Sequence, residues 1–345
     1  MQLAERKVKI LKAVVESYIR HGEPIGSKAL CSMLDFPVSS ATVRNDMAEL
    51  SELGLLLQPH TSAGRVPSQA GYRLYVNELM EKKRLPDEIK ALIVSTLENS
   101  ADDPERILRK ASEVVSEIAH TAVIATTPSS DTARIRRLKF IQTSRQTCMV
   151  VLITSSGLVK NRLFKCDYVI TPEIISIFDS SLNRRLAGVP ISSMTPAYVQ
   201  TLAVELGDLA MLIPSVLAAI MDACSEVSGI SVAAAGKISL LFSQENDLDT
   251  AKALMRFLNS EEEMEKFAMS INPESRVLIG SEIGIGILED FCVMVSPYSI
   301  DRLSGGYLAA ISPMRTDYAY ILAVLDCAAE CVTRLIRELL MLDGE

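Results

Sequence analysis

The sequence contains no tryptophan, and aromatic residues make up only 5% of its 345 positions. Aliphatic residues and 14 methionines must therefore fill the hydrophobic cores, for which an apolar fraction of 48% is ample. No run of about 18 apolar residues is free of charge, so we expect no membrane span. The N-terminal segment also lacks the uninterrupted apolar stretch of a signal peptide, and we expect a cytoplasmic protein.

Cysteine and histidine are too few and too scattered to suggest a metal or catalytic site. The seven cysteines form no CxxC pair and are interpreted as small buried apolar residues. Cys327 and Cys331 lie one helical turn apart, but no nearby histidine or cysteine completes a metal site. No GxSxG, HExxH or Walker motif occurs. We expect no enzyme, no metal and no cofactor, and we interpret His120 as a partly buried structural residue.

Basic residues are outnumbered by acidic ones, since 35 Lys and Arg against 43 Asp and Glu give a net charge of −8. The distribution is uneven: the first 84 residues hold 12 Lys and Arg against 9 Asp and Glu, whereas the rest of the chain holds 23 against 34. A mildly basic N-terminal part on an acidic body predicts that any contact with a polyanion is local.

The first 85 residues show the pattern of three helices, a hairpin and a fourth helix. Apolar residues recur at helical spacing over residues 3–21, and a short helix is predicted over residues 26–35. Ser39 or Ser40 is expected to cap a third helix, which ends before Gly54. The segment LLLQPHTSAGRVPS then predicts two strands around a polar tip, and QAGYRLYVNELMEKKR resumes a helix. This order predicts a winged helix-turn-helix.

The third helix carries the strongest functional signal. Arg44 and Asn45 share its outward face with the small residues Ala41 and Ala48. In the major groove, arginine donates two hydrogen bonds to guanine and asparagine makes two with adenine. An isolated helix with such a face is more often plain solvated surface, but the short helix before it and the hairpin after it favour DNA binding. The expected inner face consists of Val43, Met47, Leu50 and Leu53.

The predicted DNA contacts combine this helix with the hairpin tip. Hydroxyl groups at the helix N-terminus can meet a phosphate beside unpaired backbone amides. The tip can touch the DNA backbone or enter the minor groove, and the alternative is a plain polar turn. Lys28, Arg73 and the run Lys82–Arg84 are either phosphate contacts or solvated surface. The predicted DNA-binding residues are Ser39, Ser40, Thr42, Arg44, Asn45, His60, Thr61, Ser62 and Arg65.

Beyond residue 85 the pattern indicates an α/β body that carries an insertion. A helix is predicted over residues 104–127, and three antiparallel strands over residues 134–165. Residues 171–227 favour helix, and three short strands follow over residues 275–313 before one long closing helix. Strands at both ends with helices between them predict one domain interrupted by an inserted segment, within an α+β fold overall.

The segment SSATVRNDMAELSELGLLLQPHTSAGRVPSQAGYRLYV, residues 39–76, resembles the signature of HrcA-type heat-shock repressors. GEPIGSKAL upstream and SGGYLAAISPMRTDY near the C-terminus fit the same family. The resemblance implies a homodimeric repressor with a winged helix at 1–85, a GAF-like domain at 86–180 and 269–345, and a mainly helical dimerisation domain inserted at 181–268. It also implies double-stranded DNA as a partner, through an inverted-repeat operator before chaperone genes, and the GroEL chaperonin as the partner that maintains activity.

One turn departs from the family pattern. ISPMRTDY, residues 311–318, replaces the more usual IGPTRMDY, which bears on the regulatory body rather than on DNA binding. Two alternative functions stay open. The chain could be a GAF-type regulator that responds to a small ligand, or a DNA-coating protein whose binding is almost wholly electrostatic.

Overall fold

Helices and β-sheets both contribute to the core of the chain, and the α+β class is thereby confirmed. The buried apolar side chains form three clusters, and the largest includes residues from the N-terminal 85 positions and from the C-terminal half. The computed structural model describes residues 4–60, 63–100, 103–128, 133–205, 214–227, 231–237, 248–300 and 305–340.

The N-terminal residues form the predicted order of helices and hairpin. The two short strands pair antiparallel, with Leu57 opposite Val66, and an isolated bridge joins Ile25 to Arg65 beside them. A π-helical turn, Tyr75–Leu79, extends the fourth helix. The elements are α1 Glu5–His21, α2 Ser27–Cys31, α3 Ser40–Glu52, β1 Leu56–Leu57, β2 Val66–Pro67 and α4 Gln69–Leu74.

Local sequence explains where these helices begin and end. Helix α1 ends at Gly22, whose φ of +73° suits a residue without a side chain. Ser39, one of the two predicted caps, is the N-cap of α3, and its side chain accepts a hydrogen bond from the Thr42 amide. The prediction that Leu53 faces inward is wrong: the residue is 44% exposed, because α3 ends at Glu52 and the chain turns at Leu53.

A five-stranded antiparallel sheet is the centre of the body, in the order β7-β3-β10-β9-β8. Alternate residues of its strands pack against helices on opposite faces, so both faces are buried. Helices α6 and α12 cover one face, while α10 and α11 contribute to the cluster on the other. The elements are α5 Asp87–Glu98, α6 Pro104–Ala119, β3 Ala122–Thr126, β7 Val232–Ala235, α10 Leu248–Asn259, α11 Glu261–Ser270, β8 Val277–Ile279, β9 Phe291–Ser299, β10 Gly305–Pro313 and α12 Tyr318–Leu339.

A separate three-stranded sheet lies between β3 and β7 in the chain. Its strands are antiparallel neighbours in the order β4-β5-β6, which confirms the three strands predicted for residues 134–165. One face packs against helices in a hydrophobic cluster of its own, which runs from Ala133 to Val227. The elements are β4 Ile135–Gln142, β5 Thr147–Thr154, β6 Val159–Lys165, α7 Pro172–Leu186, α8 Pro196–Glu205 and α9 Pro214–Ser225.

Two predictions about the segment after residue 103 are wrong. The helix expected over residues 104–127 ends at Ala119, and the next strand, β3, is buried at every position. A short apolar run does not distinguish a buried strand from a helix by its periodicity. His120 is exposed rather than partly buried, since it is the left-handed C-cap of α6, with φ +51°.

The cysteines occupy the positions expected of small apolar residues. Five are buried, and only Cys31 and Cys327 are half-buried. Burial raises the pKa of the Cys148 thiol to about 11 and that of Cys224 to about 12, which disfavours the reactive thiolate form. Among the residues that the structure describes, no helix combines the length and hydropathy needed to cross a bilayer.

Candidate nucleic-acid interface

Helix α3 presents a polar face to solvent and an apolar face to the core. Val43, Met47 and Leu50 are buried, as the sequence predicts. Arg44 and Asn45 are exposed, and neither side chain has a hydrogen bond or ion pair with another described residue. The two side chains are therefore available to an outside partner, and both offer donors suited to base edges.

A charged contact on the inner side of α3 holds the helix against α1. The Asp46 carboxylate, whose side chain is 3% exposed, accepts hydrogen bonds from Arg6 Nε at 2.7 Å and Nη2 at 3.0 Å. This hydrogen bonding raises the pKa of the Arg6 guanidinium above its ordinary value. Lys7 of α1 forms a single, more exposed ion pair with Glu49, one turn further along α3. Neither pair was predicted from the sequence, although Asp46 and Glu49 stand at helical spacing beside the predicted inner face.

The N-terminus of α3 is organised by hydroxyl groups. Ser39 Oγ accepts the Thr42 amide hydrogen at 3.1 Å and lies 2.8 Å from Thr42 Oγ1. Ser40 is exposed beside them. The three predicted phosphate-binding residues on this turn are therefore close together, next to backbone amides that lack partners inside the helix.

The remaining predicted DNA contacts lie on the hairpin after α3, and they differ in exposure. His60 is exposed, and its carbonyl accepts the Ala63 amide hydrogen at 2.9 Å. Thr61 and Ser62 lie outside the described residues. The backbone of Arg65 exchanges two hydrogen bonds with Ile25, at 2.9 and 3.1 Å. Arg65 is half-buried, and its Nε atom is buried without a hydrogen-bond partner in the described structure, so this side chain is less available than Arg44.

Two residues of the uncertain basic set contact the body of the protein. Arg73 pairs with Glu282, and Lys83 pairs with Asp317. Arg73 is half-buried in this contact and is not merely solvated surface, whereas the Lys83 side chain stays 53% exposed and fits that interpretation. Lys28 is exposed on α2. Arg44 of α3 and Lys28 of α2 are thus both exposed cationic side chains.

Comparison with known proteins finds relatives over nearly the whole chain. The family model described as "HrcA protein C terminal domain" matches residues 105–322. A heat-inducible transcription repressor HrcA from Alkaliphilus metalliredigens is 31% identical over 327 residues, covering 94% of this chain and 95% of that protein. The Shouchella clausii protein of the same name is 32% identical over 338 residues, covering 96% and 98%.

A solved structure shows the same fold. The crystal structure of a protein described as hypothetical covers 98% of this chain and 100% of its own, with a TM-score of 0.62 and 24% sequence identity. At that identity the likeness concerns the fold alone. The family match and the full-length relatives lead to one conclusion: the chain belongs to the HrcA family of heat-inducible transcription repressors.

Proposed function

We propose that the chain represses transcription by binding, as a homodimer, an inverted-repeat operator in front of chaperone genes. The observation that carries the proposal is the exposed face of α3, where Arg44 and Asn45 have no partner among the described residues. Family membership supports the repressor role, and the resemblance supplies the operator type. Repression is steric, because the bound dimer occupies both half-sites.

The N-terminal part is proposed to be a winged helix-turn-helix in which α3 enters the major groove. Three helices precede the β1–β2 hairpin, and the Ile25–Arg65 bridge adds a third short extended segment to it. Arg44 is assigned to a guanine and Asn45 to an adenine. Ser39, Ser40 and Thr42 are assigned to a phosphate at the helix N-terminus.

The hairpin is proposed to contact the DNA next to the groove that α3 occupies. His60 is exposed at the described edge of the tip, and the assignment of Thr61, Ser62 and Arg65 follows from their places in the sequence. Hairpin residues of this kind touch the backbone or reach the minor groove, where basic side chains are favoured.

The domain division is proposed to follow the hydrophobic clusters. Residues 1–85 form the DNA-binding domain, and the five-stranded sheet with its helices forms the GAF-like domain. The sequence division placed the insertion at 181–268. We place it at about residues 133–227, because β4 to β6 and α7 to α9 share one separate cluster, whereas β7 returns to the five-stranded sheet.

The outward face of the inserted sheet is proposed to be the dimer surface. Met149, Val151 and Ile153 are half-buried on the central strand, although α7 and α9 pack on the opposite face. Val159 and Leu163 flank them on β6 and are 55% and 64% exposed. In the described part of the chain, no helix packs against this side of the sheet.

We propose a second copy of the chain as the occupant of this face. The apolar residues form cross-strand rows, with Leu163 opposite Met149 and Val159 opposite Ile153. A two-fold axis brings the same apolar patch from each subunit together, and two sheets can then stack about 10 Å apart. Burying the patch in a dimer would remove it from water, and it would hold two DNA-binding domains on one particle.

The GroEL chaperonin is proposed to maintain the repressor in its binding form. Heat shifts a marginally stable repressor toward inactive or aggregated forms, and the chaperonin returns these to the folded dimer. The fraction of protein able to bind operator after a heat pulse, measured with and without chaperonin, tests this. Equal recovery in both samples contradicts the proposal.

Operator binding tests the function as a whole. Footprinting on the organism's own chaperone promoters should show protection of two symmetric half-sites. Competition with random duplex should leave the protected pattern in place. Loss of all preference under that competition would instead indicate an electrostatic DNA-coating protein.

Regulation by a small ligand is the second candidate function, and one cavity favours it. A cleft of about 1090 Å³ lies between α4 and the body. Arg276 and Asp326 lie at its polar side, while Val76 and Leu322 contribute apolar surface. Screening small metabolites by thermal unfolding tests this candidate, since a true ligand raises the melting temperature.

A further inference from the structure

The last helix of the DNA-binding domain is attached to the body by side chains that make no use of the proposed DNA face. We propose that Gln69 and Arg73 are positioning residues, which lock the orientation of the DNA-binding domain and so set the operator spacing that the dimer accepts. The inference rests on the proposed function, because it concerns how two α3 helices are held relative to each other.

Arg73 makes the charged half of this attachment. Its Nε donates to Glu282 Oε1 at 2.9 Å, and its Nη2 donates to Glu282 Oε2 and, at 2.9 Å, to the Val277 carbonyl. Glu282 is itself oriented, since its Oε2 accepts the Ile279 amide hydrogen at 2.9 Å. A two-pronged arginine–carboxylate contact restrains direction as well as distance. The guanidinium therefore holds α4 in one orientation.

Gln69 makes the neutral half, one helical turn before Arg73. Its Nε2 donates to the Ile279 carbonyl at 2.7 Å and to Ser281 Oγ at 3.0 Å. Gly280, between those partners, has φ +56°, and a Cβ there would lie 2.7 Å from Gln69 Oε1. A side chain at Gly280 would thus be strained and would push against the amide. The turn is shaped to receive Gln69 closely.

Further contacts between the domain and the body lie on either side of these two residues. The rings of Tyr72 and Tyr318 lie 5.9 Å apart between their centroids, and both tyrosines belong to one hydrophobic cluster. Arg315 lies against the end of α1, where a Cβ on Gly22 would be 3.2 Å from its guanidinium carbon. The turn that departs from the family pattern therefore forms part of the surface on which the DNA-binding domain packs.

The orientation of the domain determines which spacing between DNA half-sites the dimer can bind. Adding or removing one base pair between half-sites moves them by about 3.4 Å and rotates them by about 34°, since B-DNA repeats every 10–10.5 base pairs. A dimer with locked domains fits one spacing. A dimer whose domains pivot fits several with little difference in affinity.

The experiment measures operator affinity as a function of half-site spacing, with full-length protein. The natural operator is compared with operators shortened or lengthened by one and two base pairs, by fluorescence anisotropy. Unmodified protein should lose about tenfold or more in affinity at each changed spacing, a loss comparable to that of a mismatched base pair. Glu282→Gln and the double change Gln69→Ala with Arg73→Ala should flatten this profile to within about threefold.

Arg334→Ala is the matched control. Arg334 of α12 also forms an exposed ion pair, with Glu98 of α5 at 2.8 Å, but both partners belong to the body. Its profile should stay as sharp as that of the unmodified protein. Thermal unfolding and sedimentation confirm that each variant is a folded dimer, and Glu282→Gln, which keeps the side-chain size, remains informative if the double variant fails to fold.

Each result has a distinct meaning. A sharp profile in all variants overturns the inference, as does a flat profile in the unmodified protein. A variant whose affinity changes equally at every spacing also overturns it, because a merely structural effect has that signature. Absence of operator preference in the unmodified protein at any spacing would instead overturn the proposed function.

Discussion

Three arginines of the N-terminal part lie on amphipathic helices, yet their surroundings give them different roles. Arg44 is exposed and has no partner among the described residues. Arg6 is held by Asp46 within the domain, and Arg73 is held by Glu282 across the junction with the body. Exposure and partners, rather than residue type, distinguish the side chain that can reach DNA from those that organise the protein.

Replacing Arg44 by alanine should weaken operator binding by about 1–3 kcal/mol and relax the preference at one base position. The two proposed hydrogen bonds to guanine would be lost, while we expect the fold to be unaffected because the side chain is exposed. Anisotropy titrations with operator variants measure this. Lys28→Ala is the control and should weaken binding to operator and random duplex alike. An equal loss on both duplexes for Arg44→Ala would identify it as a phosphate contact.

Replacing Arg6 by alanine should lower the midpoint of urea unfolding. The Asp46 carboxylate is buried and would lose both of its charge-assisted hydrogen bonds. Lys7→Ala removes a neighbouring ion pair whose acceptor, Glu49, is 52% exposed, and should leave the midpoint nearly unchanged. Equal midpoints for the two variants would show that the Arg6–Asp46 contact does not stabilise α3 against α1.

At the scale of elements, two features bear on the proposed function: the close backbone contact of the hairpin and the uncovered face of the inserted sheet. Gly64 passes so near to Ile25 that a Cβ there would lie 2.3 Å from the Ile25 carbonyl. The hairpin is thus attached by backbone contact to the segment that joins α1 and α2. The inserted sheet shows the opposite situation, since apolar residues on one of its faces stay exposed.

Gly64→Ala should displace the hairpin and reduce operator affinity while the protein stays folded. The added methyl group meets backbone atoms of Ile25, which cannot move as a flexible side chain would. Operator titration and circular dichroism measure the two effects. Gly26→Ala is the control, because nothing lies within 4 Å of a Cβ there. Unchanged operator affinity in Gly64→Ala would remove the hairpin from the DNA interface.

Leu163→Asp should convert the dimer to folded monomers and weaken operator binding steeply. The leucine is 64% exposed in the single chain, so the change costs the monomer little, but it places a charge within the proposed contact. Sedimentation measures the mass and anisotropy the affinity. Val204→Asp, at a residue of α8 that is 82% exposed, should leave both unchanged. A dimeric Leu163→Asp protein would place the interface elsewhere.

At the scale of the whole molecule, the N-terminal 85 residues and the body share one hydrophobic cluster, while the proposed inserted module has its own. Tyr72 and Tyr75 of the N-terminal part belong to the same cluster as Tyr318 of the body. The N-terminal part is therefore packed onto the body, and we expect its stability to depend on residues far away in the sequence.

Tyr318→Ala should reduce amide hydrogen-exchange protection in α3, although the substitution lies in the body. Tyr318 is 1% exposed, and truncating a buried aromatic side chain costs about 3–5 kcal/mol in a core. Phe178→Ala, at a fully buried residue of the inserted module, should lower protection in that module and leave α3 unchanged. Equal loss of α3 protection in both variants would show that the two clusters unfold as one unit.

Much of the architecture was predictable from local pattern. The helices of the N-terminal part, the cap at Ser39, the β4–β6 strands and the long C-terminal helix all follow from periodicity and capping residues. Strands β3 and β7 were not, because a short apolar run carries no alternation that would separate strand from helix. Local pattern also does not indicate which strands pair in which sheet.

The sequence by itself determined the class of the protein and the residues of α3 that point away from its core, because helical periodicity decides which side chains can be buried together. Only the tertiary structure decided which charged residues remain available. Arg73 and Lys83 are drawn to Glu282 and Asp317, partners more than 200 positions away. Ion pairs form between charges that packing brings close together in space, and the local pattern of the sequence does not indicate which distant residues will be neighbours.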